Sequence, residues 1–226
     1  MEIEFKIKLT KKEAEDVLER IFVTEKPYSI HTKVDRYWKR PGASVTNTNV
    51  IRLRSVHNVK DQELPDTDNP VKDWFISPEY DVDHIPIKYT LDDERFLTYK
   101  NKIIKDGNER NKEYEQHVSN AIWEVLEKCF NDIGEVYFNK VKRCLTLHKE
   151  TEDHLAGICV DICNVNNGYY YFEVETVTYK NDISDEEYNR RLKEMTEYIK
   201  NEFGVNPDNK DGRSWMQIMR EDTNEI

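Results

Sequence analysis

Apolar and polar residues alternate with period two over much of the chain, the pattern of strands whose two faces meet different surroundings. The first run, 1–9, puts Ile3, Phe5, Ile7 and Leu9 on one face and Glu2, Glu4, Lys6 and Lys8 on the other. Thr10-Lys11-Lys12-Glu13 then reads as a capping box, with Ala14, Val17, Leu18 and Ile21 as the buried stripe of the helix behind it. The alternation predicts further strands over 28–40, 49–56, 95–104, 110–118, 136–148, 155–163 and 169–179. Turns fall at Asp106-Gly107-Asn108 and Asn166-Asn167-Gly168. Ser119 caps a second helix to about residue 132, with Ile122, Val125, Leu126 and Phe130 expected inward. Ser184 or Asp185 opens a long third helix to about residue 203, ended by Gly204.

Residues 57–95 break the pattern. They hold four of the seven prolines and eleven Asp/Glu against four Lys/Arg, most of the chain's excess negative charge. The segment reads as an acidic inserted loop in a single domain spanning 1–226, with Trp74, Phe75 and Ile76 as a docking point, or as a solvated insertion without function.

The parity of the charges is more informative. Lys6 and Lys8, Arg52 and Arg54, Lys100 and Lys102, and Lys140 and Lys142 are i, i+2 pairs within strands. So are Glu2 and Glu4, Glu113 and Glu115, and Glu173 and Glu175, while Asp161 stands between Val160 and Ile162. Period two puts each pair on one face. A sheet with one face in water satisfies the pattern, and so does a sheet closed into a barrel with a charged interior. Like charges at adjacent same-face positions in strand after strand favour the barrel. The fold class expected is α+β and mainly antiparallel β: a closed eight-stranded tunnel barrel with a charged interior and helices packed outside. Eight strands enclose about one small ligand. Polyphosphate and a divalent cation together reconcile so many buried charges of both signs, since Lys and Arg bind phosphate oxygens and carboxylates hold a hard cation.

Composition narrows the field. The chain of 226 residues is 35% charged and 37% hydrophobic, yet its 13 tyrosines and 11% aromatic content supply core area. A formal net charge of −11 argues against a duplex-DNA binder, which carries a basic stripe. No signal peptide and no apolar run of about 18 residues is seen, so a cytoplasmic protein without a membrane partner is expected. Cys129, Cys144, Cys159 and Cys163 form no CxxC pair and are read as reduced fillers rather than a zinc knuckle. The six histidines make no metal-binding spacing. His31, His117 and His148 share the inward parity and are read as hydrogen-bonding groups at the rim.

These elements resemble, in order, the signatures of the CYTH superfamily of triphosphate-tunnel enzymes. Glu2-x-Glu4-x-Lys6 is similar to its ExExK strand, Asp35-Arg36-Tyr37-Trp38 to its Asp-x-Tyr strand, and Ile51-Arg52-Leu53-Arg54 to its LRxR strand. Thr98-Tyr99-Lys100, Lys112-Glu113-Tyr114-Glu115 and Lys140-Val141-Lys142-Arg143 follow, the last with Lys142 where many members carry Arg. Cys159-Val160-Asp161, Phe172-Glu173-Val174-Glu175 and Gly212-Arg213-Ser214-Trp215 complete the set, with Trp215 for the usual Tyr. The likeness covers nearly the whole chain apart from 57–95.

The resemblance implies a divalent-metal triphosphatase acting on a nucleoside, thiamine, inorganic or RNA 5′-triphosphate. Its alternatives are an adenylyl cyclase of the class IV type and a non-catalytic triphosphate binder. It implies Mg²⁺ or Mn²⁺ held by Glu2, Glu4, Asp161, Glu173 and Glu175. Phosphates would be held by Lys6, Lys8, Arg52, Arg54, Lys100, Lys102, Lys140 and Lys142, with Arg213 closing the tunnel from the tail or pairing with a surface acid. Glu4, Glu175 and Lys100 are the expected catalytic groups, with Glu113 and Glu115 organising the basic side chains.

Overall fold

A computed structural model describes residues 2–39, 49–77, 93–105, 108–133, 135–151, 157–166, 168–177, 183–215 and 217–219. The strands are β1 (Glu2–Leu9), β2 (Ser29–Lys39), β3 (Asn49–Asn58), β4 (Glu94–Lys105), β5 (Asn108–His117), β6 (Glu135–Lys149), β7 (Ile158–Val165) and β8 (Tyr169–Val177). The helices are α1 (Lys11–Val23), α2 (Pro70–Ile76), α3 (Asn120–Ile133) and α4 (Asp185–Phe203).

Every strand pairs antiparallel with its neighbours, in the ring order β1-β5-β4-β3-β2-β6-β7-β8. The shortest seam is β1 to β5, whose register partners are Glu2↔Asn111, Ile3↔Arg110 and Glu4↔Glu109. Beyond it the C-terminal segment takes over the edge of β1. The Asp211 amide donates to the Lys6 carbonyl at 2.8 Å, and Lys210 bridges to Ile7.

The alternation decides what lies on each side. Ile3, Phe5, Ile7, Leu145, Val160, Ile162, Phe172 and Val174 are all buried on the outer face of β1, β6, β7 and β8. They pack against Ala14, Val17, Leu18 and Ile21 of α1 and Met195, Ile199 and Phe203 of α4. The helix ends follow from their caps. Thr10 and Glu13 close a capping box, Ser184 accepts from the Glu187 amide, and Gly204 ends α4 at φ 68°. The positive φ is what favours glycine there, and a Cβ would also press on the Arg20 guanidinium at 3.0 Å.

A second apolar layer covers β2, β3 and β4. There the expected face of α3 needs correction. Trp123 is buried at 2% exposure, while Ile122 and Val125 are 52% and 60% exposed. Trp123, Leu126 and Phe130 form the packed stripe, against Trp38 and Leu53. The indole buries more area than either aliphatic side chain beside it, and it sets the rotation of the helix.

The docking role expected for 74–76 also fails for the two aromatic residues. Trp74 and Phe75 lie in the main core at 1% and 0% exposure. Arg143 donates to the carbonyls of Trp74 and Ser77, and Asn164 to that of Phe75 at 2.6 Å. Residues 78–92 of the acidic segment lie outside the described residues. Among the described residues, no helix is long and apolar enough to cross a membrane.

Candidate functional site

Register brings the charged parity of distant strands into the interior. Glu4 faces Glu175 across β1 and β8, and Lys6 faces Glu173. Glu173 faces Asp161 across β8 and β7. Lys33 and Asp35 face Lys142 and Lys140 across β2 and β6, and Asp35 also faces Arg54 of β3. A cavity of about 610 Å³, solvent at its mouth included, is lined by Glu2, Glu4, Lys6, Lys33, Arg52, Arg54, Lys140, Lys142, Cys159, Asp161, Glu173, Glu175 and Trp215.

The charges sort into two zones. Glu2, Glu4 and Glu175 bring carboxylate oxygens within 4.8 Å of one another. Burial raises the pKa of Glu175, and the nearby Asp161 and Glu4 raise it further. Three crowded carboxylates are the donor set that a hard cation satisfies.

The second zone is an ion-pair lattice. Asp35 has no exposed surface and accepts from Arg54 Nε at 2.6 Å and Nη2 at 3.0 Å, with Lys140 Nζ at 3.1 Å. Burial alone would raise the Asp35 carboxyl, but Arg54 and Lys140 hold it well below the usual carboxylate range. Burial pulls Lys140 down to about 7 despite Asp35. Lys142 donates to Glu173; burial opposes that carboxyl's ionisation, yet Lys142 and Lys140 bring it to about 2. Lys33 Nζ lies 2.6 Å from Asp161, which also accepts from Thr146. Burial works against the Asp161 anion, and Lys33 and Lys142 outweigh it, keeping the group well below its ordinary value.

One end of this lattice is covered by the C-terminal segment. Trp215 Nε1 donates to Glu173 at 2.8 Å, and Lys140 lies 4.4 Å from the ring centroid. Trp215 also packs edge-on against Tyr171, beside Ile218 and Met219.

Other expected residues lie elsewhere. Lys8 is exposed and sits 5.8 Å over the Tyr169 ring, outside the cavity lining. Arg213 pairs with Asp211 at 2.7 Å. Glu115 accepts from Arg52 and from Thr98 at the far edge of the lattice. The side chains of Lys100, Lys102 and Glu113 lie outside the described residues. His31 is buried at 7% exposure, 3.0 Å from Thr146 Oγ1, so it is an interior group and not a rim one.

Lys33 is the site residue that the sequence reading missed. Its signal is its inward parity with Asp35, but an opposite-charge i, i+2 pair looks self-neutralised on a solvated face. The lining by Trp215 had no signal beyond the terminal motif.

Neither a protein-family model nor a curated protein matches the sequence. Solved structures do match. The PH1819 protein from Pyrococcus horikoshii OT3 is 17% identical, with 98% of this chain and 99% of that chain covered and a TM-score of 0.65. HpAC1 from Hippeastrum, for which a dominant triphosphatase activity is described, is 14% identical over 98% of this chain and 96% of that chain, TM-score 0.54. A chain of the Schizosaccharomyces pombe Mediator head module is 10% identical over 88% of this chain and 94% of that one, TM-score 0.55. At such identities the likeness establishes the fold and nothing beyond it.

Proposed function

We propose that the protein is a divalent-metal-dependent triphosphate phosphohydrolase that works inside the tunnel. One observation carries the reading. A single cavity is lined by the Glu2–Glu4–Glu175 trio and by Lys6, Arg52, Arg54, Lys140 and Lys142. Apposed carboxylates and cations of that number suit a metal-bound polyphosphate, where each anionic oxygen meets either the ion or a basic side chain.

Mg²⁺ or Mn²⁺ fits the trio, whose three carboxylates crowd within 4.8 Å of one another. Asp161 and Glu173 are engaged by Lys33 and Lys142 one layer further in, so they support the ion less directly than the motif suggests. The ion, when bound, neutralises charge on the transferred phosphoryl group and lowers the pKa of a coordinated water. The chain's own residues supply the alignment. Asp35 fixes Arg54 and Lys140 in place, and Glu173 fixes Lys142, so the cationic bank is organised before substrate arrives. Glu4 or Glu175 orients the attacking water, with the remaining trio members holding the metal. Lys8 and Arg213 drop out of the phosphate-binding set on this reading, and Lys100 and Lys102 stay in it as the resemblance implies.

The likeness to the Hippeastrum protein supports the fold of this reading, not its substrate. A panel of inorganic triphosphate, thiamine triphosphate, nucleoside triphosphates and 5′-triphosphate RNA, each with Mg²⁺ and Mn²⁺, tests it. Release of phosphate from at least one is expected. Cyclic AMP with pyrophosphate would redirect the assignment to a cyclase. Tight binding without product would make the protein a binder.

A further inference from the structure

Two thiols face each other beneath the tunnel floor. Cys144 of β6 and Cys163 of β7 are direct register partners, both fully buried, with their Sγ atoms 3.6 Å apart. Two thiolates on a tetrahedral ion, each about 2.3 Å from it, sit at the ends of a tetrahedron edge about 3.8 Å long. The observed spacing is within a few tenths of an ångström of that edge. Further donors surround the pair. Ligand atoms of His31, Cys144 and Asp161 lie within 4.8 Å of one another, as do those of Asp161, Cys163 and Glu173.

Proton bookkeeping prepares the imidazole. The Thr146 hydroxyl donates to Asp161, so its oxygen accepts from His31 Nε2–H at 3.0 Å. In that tautomer the lone pair of the ring lies on Nδ1. A ring anchored through one N–H while the other nitrogen keeps its lone pair is how ligating histidines are commonly held.

The charge balance selects the ion. Lys33 neutralises Asp161 and Lys142 neutralises Glu173. Two thiolates and one divalent cation therefore add no net charge to this buried layer. Sulfur donors favour a soft ion over Mg²⁺ or Mn²⁺.

We propose that Cys144, Cys163, Asp161 and His31 form a second cation site, for a thiophilic divalent ion of the zinc class, separate from the Glu2–Glu4–Glu175 trio. Asp161 is the one residue it shares with the metal set that the motifs imply, and the proposal does not rest on the hydrolase reading. Loading exchanges two thiol protons for one ion, with no change of oxidation state: Zn²⁺ displaces two protons from two S–H groups and forms two Zn–S bonds.

The test uses the full chain with one equivalent of Zn²⁺ or Co²⁺ in excess Mg²⁺, the latter filling the carboxylate trio. X-ray absorption at the zinc edge should show sulfur scatterers at about 2.3 Å. The Co²⁺ form should show a thiolate charge-transfer band that Cys144→Ser and Cys163→Ser each remove and Glu4→Gln retains. A zinc shell of oxygen and nitrogen alone, or a band that survives both serine variants, would overturn the site. The wild-type absorption measurement decides the question even where a serine variant does not fold.

Discussion

Lys33 Nζ lies 2.6 Å from Asp161 Oδ2, joining β2 to β7 across the intervening β6 and through the tunnel interior. The two side chains are 16% and 10% exposed, so both ions are largely withdrawn from bulk water. Burial disfavours the Lys33 ammonium, yet Asp161 raises its pKa well above the ordinary lysine value. Removing one member strands the other. Lys33→Met is expected to cost about 3–5 kcal/mol of unfolding free energy. Asp161→Asn in the same chain should recover part of it. Urea midpoints of the single and double variants check this, and a loss below about 1 kcal/mol in Lys33→Met would show that water reaches Asp161.

Glu4 is half-buried and belongs to the carboxylate trio. Glu4→Gln keeps the size of the side chain and removes one charge. Metal-dependent turnover should fall on the order of 10²–10³-fold, the scale of losing one preorganised charge contact at a reacting centre. The thermal midpoint should hold or rise, since the trio's mutual repulsion is relieved. Full activity in this variant would remove the trio from the mechanism.

Trp74 in α2 is 1% exposed and belongs to the main core. Trp74→Ala should lower stability by about 3–5 kcal/mol through the cavity it leaves. A near-neutral result in urea unfolding would return the helix to the status of a detachable insertion.

His57 joins the two ends of the acidic segment. Its Nδ1 is 2.8 Å from Asp93 and its Nε2 3.1 Å from Glu63. Burial disfavours the charged ring, but Asp93 and Glu63 outweigh it and raise the pKa above 6.5. A raised histidine pKa stabilises the fold fully below the unfolded value of about 6.5 and loses that contribution as pH climbs through the folded value. His57→Gln should therefore lower the thermal midpoint at pH 5.5 and approach the wild type above pH 8. An equal deficit at both values would assign the loss to packing instead of charge.

The barrel was legible because period two survives any tertiary detail: Glu2 and Glu4, Arg52 and Arg54, Lys140 and Lys142, and Glu173 and Glu175 mark inward faces, and the intervening Ile3, Leu53, Val141 and Val174 outward ones. The caps of α1 and α4 were legible for the same local reason, since Thr10, Ser184 and Gly204 act on their own helix ends. The rotation of α3 was not, because Ile122 and Trp123 compete one position apart and only the opposing surface of Trp38 and Leu53 decides between them. The short α2 hid behind Pro65, Pro70 and the acidic residues around it. Inside the tunnel, like-charge pairs pointed to the phosphate-type bank and the trio. Lys33 escaped because opposite charges at i, i+2, here with Asp35, read as a surface pair. The meeting of Cys144 with Cys163 depends on the β6–β7 register, which a separation of 19 residues does not encode.

The central claim stands on metal-dependent cleavage, and phosphate release against divalent-ion concentration tests it most directly. With the best triphosphate of the panel, the wild-type chain should release no phosphate in chelator and should rise to a saturable rate as Mg²⁺ or Mn²⁺ is added. Arg54→Ala should raise KM at saturating metal. A rate that chelator leaves unchanged, or tight triphosphate binding with no phosphate released at any metal concentration, would contradict the account.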